Sequence, residues 1–135
     1  CVTISGLHTW DVSSGVNFTQ MFQNHKINTN IDVSGWDMSS ATNVTQMLYD
    51  CDLFNSSLAG WDISSVENGL DTLLAQASGL SPLYYNATLI SWSALVPLTY
   101  GGTINMGGST HTGSPAQAAK DILIADGLVF VDGVP

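Results

Sequence analysis

Apolar residues recur along this chain at a long, fixed interval. Trp10, Trp36 and Trp61 each open the same phrase, Trp10-Asp-Val-Ser-Ser14, Trp36-Asp-Met-Ser-Ser40 and Trp61-Asp-Ile-Ser-Ser65, at spacings of 26 and 25 residues. Three residues before each tryptophan stands Leu7, Val33 or Leu58, and seven after it stands Asn17, Asn43 or Asn68. A looser fourth copy follows after 31 residues with Leu89, Trp92 and Ala94. Leu7-Trp10-Val12 and its counterparts fit a leucine-rich strand, L-x-x-L-x-L, in which residues two apart face the same way. The tryptophans are therefore expected to point inward and form a core ladder, which argues against carbohydrate stacking. The period then changes. Phe18, Met21 and Phe22, then Val44, Met47 and Leu48, then Leu70, Leu73 and Leu74, sit at helical spacing, with Asn17 and Asn43 placed as helix N-caps.

Each unit thus reads as strand, turn and short helix. One unit cannot bury both its tryptophan and its helix face, so neighbours must stack. The expected fold is α/β: a right-handed solenoid with a parallel sheet on one side and short helices on the other. Residues 1–98 form the repeats and 99–135 a C-terminal cap of the same domain. In the cap, Thr103 to Met106 is β-prone, Ser114-Pro115 opens a helix over Ala116 to Ala125, and Leu128 to Val131 reads as a strand.

The ends attract attention because strand edges left open invite pairing. Val2, Ile4 and Leu7 precede the first phrase with no polar cap, and Leu128, Val129, Phe130 and Val131 form an apolar run near the other terminus. Either further repeats or another molecule is expected to cover the first of these. Cys1 is followed at once by Val2-Thr3-Ile4 with no flexible tether, which favours the start of a segment over a lipid-anchored cysteine.

Composition narrows the partners. Two basic side chains, Lys26 and Lys120, face eleven acidic ones, a net charge of −9. Phosphates would meet almost nothing to neutralise them, so nucleic acid is excluded as a partner and an anionic membrane surface is a poor one. No apolar run reaches the length of a membrane span. His8, His25 and His111 share no repeat position, and no set of acid, base and nucleophile converges, so neither an enzyme nor a cofactor is expected. Cys51, near the end of the second unit, reads as a buried structural thiol.

Two groups of side chains remain as candidates. Asp11, Asp37 and Asp62 should form a ladder on the outer face of the sheet, about 4.8 Å apart. Either solvent and the neighbouring serines offset their repulsion, or a cation such as Ca2+ does. Four N-x-[ST] sequons occur at Asn17, Asn43, Asn55 and Asn86. In a eukaryotic secreted protein, Asn55 and Asn86 would lead as glycan carriers, because the other two are occupied as caps.

The phrase W-D-[VMI]-S-S, followed in the first two copies by N-x-T-Q-M-[FL], resembles the BspA-like leucine-rich repeats of bacterial, protist and viral surface proteins. The stretch from Ala87 through Ser91-Trp92, Gly101-Gly102 and the Pro115–Ala125 helix to Asp132-Gly133 resembles the usual end of such arrays. The third copy departs from the pattern, with Val66-Glu67-Asn68-Gly69-Leu70 in place of the methionines. The resemblance implies surface display and adhesion or host contact through protein partners. The open ends point to a second class of role, a structural subunit that associates with copies of itself in a filament, appendage or coat.

Overall fold

The computed structural model describes residues 6–24, 32–77 and 79–133; the readings on Cys1, Val2 and Ile4 lie outside them. The protein is a mixed α/β chain. Its regular elements among the described residues are a short 3-10 helix (Leu7–Thr9), helix α1 (Pro82–Ser93), strand β1 (Thr103–Asn105), helix α2 (Ser114–Ala125) and strand β2 (Val129–Val131).

The W-D-x-S-S phrases are built from tight turns rather than from strands. The Trp10, Trp36 and Trp61 amides donate to the carbonyls of Leu7, Val33 and Leu58, closing one turn. A second turn closes where Gly15, Ala41 and Val66 donate to Val12, Met38 and Ile63. Between them Asp11, Asp37 and Asp62 each accept the amide of the serine two residues on. The three-residue apolar spacing that suggested a strand is therefore the span of a turn.

The expected short helices are turns as well. Gln20 and Gln46 adopt φ values of 59° and 53°, and Asn24 and Asp50 follow at 57° and 56°. A left-handed residue every fourth position stops right-handed helix from propagating. Asn17 and Asn43 consequently cap no helix. Each accepts the amide and hydroxyl of Thr19 or Thr45 in a local turn.

Successive repeats pair with one another in parallel. Asn17 bridges Asn43, and Asn43 bridges Asn68. Phe18, Gln20, Phe22 and Asn24 donate to the carbonyls of Asn43, Thr45, Met47 and Tyr49 at 2.8 to 2.9 Å. Val44, Leu48 and Asp50 do the same to Asn68, Leu73 and Ala75. The spacing of 26 and 25 residues is the length of chain needed to return to the same backbone position one layer on. Gly69 makes this close approach tolerable: its φ is 102°, and a Cβ there would meet the Thr45 backbone nitrogen at 2.2 Å.

The layers enclose one core containing Trp36, Trp61, Trp92, Met38, Ile63, Met47, Leu48 and Leu73. Each buried indole also satisfies a carbonyl of the preceding layer. Nε1 of Trp36, Trp61 and Trp92 donates to Leu7, Val33 and Leu58 at 2.7, 3.0 and 3.1 Å. Trp92 does this from a helix, not from the strand its spacing suggested. Tyr85, Leu89 and Trp92 lie four and three residues apart on the buried face of α1, which opens at Pro82.

The C-terminal region follows its sequence reading closely. α2 packs against α1 and buries Ala116, Ala119 and Leu123. It stops at Asp126, and Gly127 turns the chain with a φ of 104°. β1 lies on the third repeat through the Asn105 amide and the Leu70 carbonyl. β2 then pairs with β1 in parallel, Thr103 opposite Val129 and Asn105 opposite Val131. This corrects the expectation of an unpaired run at Leu128 to Val131. Leu128 is buried, Val129 and Val131 spend their backbone groups on β1, and Phe130 alone turns its backbone to the open side.

Candidate functional site

Two places bring unusual chemistry together. The first is the outer face of the first repeat. In the second repeat, the carbonyls of Asn43, Thr45, Met47 and Tyr49 receive amides from the layer before. Their counterparts in the first repeat, Asn17, Thr19, Met21 and Gln23, meet no donor among the described residues. The side chains follow the same rule. Trp36 and Trp61 are 1% exposed, whereas Trp10 is 51% exposed. Trp10 stacks one face on Trp36, with ring centroids 6.3 Å apart and planes 11° from parallel. Among the described residues its indole N–H meets no acceptor, although each later tryptophan has one. Met21 is exposed where Met47 is fully buried, and Val16 is exposed too. Trp10 thus corrects the expectation of four buried indoles: burial requires a layer on each side, and among the described residues Trp10 has one.

The second place is a polar cluster in the C-terminal region. Asp132 accepts the Tyr85 hydroxyl at 2.5 Å and the Lys120 ammonium at 2.8 Å, and both charged side chains are largely buried. Lys120 also sits 5.5 Å from the centre of the Phe130 ring. Burial, and then the Asp132 carboxylate, push the Tyr85 hydroxyl well above the usual tyrosine range, so it serves as a neutral donor. His111 meets the Tyr85 ring edge-on at 6.1 Å and pairs its Nε2 with Gln117 Oε1 at 2.7 Å; its Nδ1 is buried without a partner. The cluster fastens α1, α2 and the segment after β2 to one another. Its acid and base are bound to each other.

The cluster was not found from the sequence because Tyr85, Lys120 and Asp132 are far apart along the chain. The one available signal was the scarcity of cations, since one of the two basic side chains is committed here.

The aspartates of the proposed ladder each close a turn. Asp11 and Asp37 accept the hydroxyls of Ser13 and Ser39 at 2.6 Å as well as the amides. Those hydroxyls, then the amides, hold both carboxyls below the usual carboxylate range. Asp11 lies near enough to Asp37 to oppose that shift slightly. Asp32 closes the same turn with Ser34. Asp62 takes the Ser64 amide. Among the described residues no three His, Cys, Asp or Glu side chains are gathered as a metal ion would require.

The sequon asparagines are unequal. Asn17 is exposed, and Asn43, Asn55 and Asn86 are half-buried. The Asn86 amide is engaged at both atoms with Thr112, and Asn55 accepts the Ser81 amide. Cys51 is buried, and its thiol donates to the Phe22 carbonyl. No helix among the described residues is long and apolar enough to cross a membrane.

Comparison with known proteins gave no match among the curated proteins and none among the solved structures. Residues 4–83 match the family described as "Mycoplasma protein of unknown function, DUF285". That span covers all three W-D-x-S-S phrases and more than half of the chain, and the chain belongs to the DUF285 family.

Proposed function

We propose that the repeats wind as a right-handed leucine-rich-type solenoid of the BspA-like kind, closed by a C-terminal cap over residues 99–135. The chain works outside the cell or on its surface, as a non-enzymatic module that associates with other proteins or adheres to them. The observation that carries this reading is the contrast between Trp10 and its repeat partners. The first layer exposes an indole, a methionine and a row of carbonyls that the next layer buries. Exposed apolar groups beside open backbone acceptors are the chemistry of a protein interface rather than of a small-molecule pocket. The internal pairing of Lys120, Asp132 and Tyr85 supports a role without catalysis. The net charge of −9 supports protein partners over nucleic acid.

A second reading, self-assembly into a filament, appendage or virion coat, is favoured by one further observation. Two unlike faces are open among the described residues: the carbonyls of the first repeat and the side of β2 at Phe130. Unlike faces that join produce open, head-to-tail assemblies.

Light scattering over a concentration series tests both readings, with Trp10→Glu as the comparison. Mass that grows with concentration and stays monomeric in the variant supports self-assembly. A monomeric chain that binds an extracellular protein through Trp10 supports adhesion. A chain that stays monomeric, and whose immobilised form retains none of a panel of purified extracellular proteins, overturns the proposal.

A further inference from the structure

The open face of the first repeat specifies its occupant. We infer that this face is a docking surface for one further W-D-x-S repeat, seated in parallel ahead of Leu7. The inference rests on the association reading above and names the partner's chemistry.

The argument is one of donors and acceptors. The carbonyls of Asn17, Thr19, Met21 and Gln23 stand at every second residue, the places where the second repeat receives four amides. An occupant must therefore bring amides at every second residue, running in the same direction. Phe18, Gln20, Phe22 and Asn24 supply such a row to the second repeat, at 2.8 to 2.9 Å. It must also bring a carbonyl to the Trp10 indole. Leu7, Val33 and Leu58, each three residues before its own phrase or its counterpart, supply that carbonyl to the later tryptophans. A W-D-x-S repeat carries both features at the required separation.

The alternatives meet fewer of these groups. A second copy meeting this face with its own first repeat would bring the same row of carbonyls and only the Val16 and Asn17 amides, the counterparts of Thr42 and Asn43, too few donors for four acceptors. The open side of β2 in a second copy, a strand of three residues with only Phe130 turned outward, would join through one of the four acceptors and leave the others for a repeat to fill. Trp10 adds the apolar part of the site. With one face already stacked on Trp36, its other face and edge remain for the incoming layer, as Met21 does beside the carbonyl row.

The sequence supplies the probe. Cys1 stands nine residues before Trp10, as Asp52 stands nine before Trp61, so residues 26–51 can be repeated directly ahead of Cys1 and run into it as Cys51 runs into Asp52, which keeps a 25-residue spacing. In the added copy, Trp36→Phe avoids introducing a new exposed indole. Acrylamide quenching then reads Trp10, because Trp36, Trp61 and Trp92 are buried; Trp10→Phe in the unextended chain identifies its share of the signal. The quenchable fraction is expected to fall severalfold in the extended chain and to stay high when the added residues are shuffled. Equal quenching with and without the repeat would overturn the inference, and so would equal protection by the shuffled extension. The readout is taken on dilute single chains, so it stands or falls apart from whether the free protein finds a partner in the light-scattering test.

Discussion

The indole nitrogen of Trp61 donates to the carbonyl of Val33, three residues before Trp36, at 3.0 Å inside the core. The same bond joins Trp36 to Leu7 and Trp92 to Leu58. Each tryptophan thus fills its own layer and ties off a polar group of the layer before. Trp36→Ala should cost about 3–5 kcal/mol as a large-to-small core change. Trp36→Phe keeps most of the volume and removes one of the two donors to the Leu7 carbonyl, which still accepts the Trp10 amide, so the hydrogen-bond loss is about 0.5–1.5 kcal/mol. Trp10→Ala should cost far less than Trp36→Ala, since Trp10 is half exposed and its indole N–H meets no acceptor among the described residues. Urea midpoints of the three variants check the order.

Gly69 sets a backbone limit on stacking. Gly69→Ala forces a left-handed residue and drives a methyl into the Thr45 backbone. The left-handed conformation alone costs roughly 1 kcal/mol or more, and the clash adds to it. Gly101→Ala, where an added Cβ meets nothing within 4 Å, is the control and should melt close to the parent.

Alkaline pH should report on Tyr85. An unfolded tyrosine loses its proton near pH ~10. The folded hydroxyl holds it to higher pH, through burial and then the adjacent Asp132 carboxylate. Above the unfolded value the unfolded chain binds fewer protons than the native one, so this contribution is full below about pH 10 and declines as the pH rises beyond it. Tyr85→Phe should flatten the loss of stability between neutral pH and alkaline conditions. Thermal melts across that range, compared with the parent, check the slope.

Removing Asp132 should be more damaging than removing the tyrosine hydroxyl. Asp132→Ala leaves the largely buried Lys120 ammonium without its carboxylate, and breaking a buried pair on one side costs about 3–5 kcal/mol. The double variant Asp132→Ala, Lys120→Met should recover part of that loss. Urea unfolding of the single and double variants measures the recovery.

Sequon use provides a test at the surface. Expressed through a eukaryotic secretory route, the chain should carry glycan at Asn17 ahead of Asn55 and Asn86. Asn17 is exposed, and the amide nitrogen of Asn86 is bonded to Thr112. Glycopeptide mapping gives the occupancy of each site directly.

How much of this could be read from the sequence depends on the distance over which each feature is set. The repeat phase was legible because one chemical demand, an indole packed between successive layers, returns at a nearly fixed chain length. The local structure was not. Leu7 and Trp10 are three apart because a turn joins them, and nothing in the apolar pattern separates that from a strand with the same spacing. The short helices failed at Gln20 and Gln46, whose left-handed backbone has no glycine to announce it. Trp92 kept its role toward Leu58 while changing from the expected strand to α1, since Tyr85-Leu89-Trp92 is also a helical stripe. The C-terminal helix and strands were legible because Ser114-Pro115 and Asp126-Gly127 punctuate them. The Tyr85–Asp132–Lys120 cluster was not, since no spacing rule relates residues brought together only by tertiary packing. The exposure of Trp10 was hidden for a related reason: sequence periodicity makes all repeats equal, and only the packing shows which indole lacks a described layer on one side.

The central claim is that successive W-D-x-S repeats lie on one another in parallel, one period out of phase. Nuclear Overhauser contacts between backbone protons of neighbouring repeats test it most directly. The account predicts cross-peaks linking Asn17 to Asn43 and Asn43 to Asn68, together with the Trp61 indole proton close to the Val33–Ser34 backbone. Cross-peaks pairing the repeats antiparallel, or a folded chain lacking contacts between Asn17 and Asn43, would contradict it.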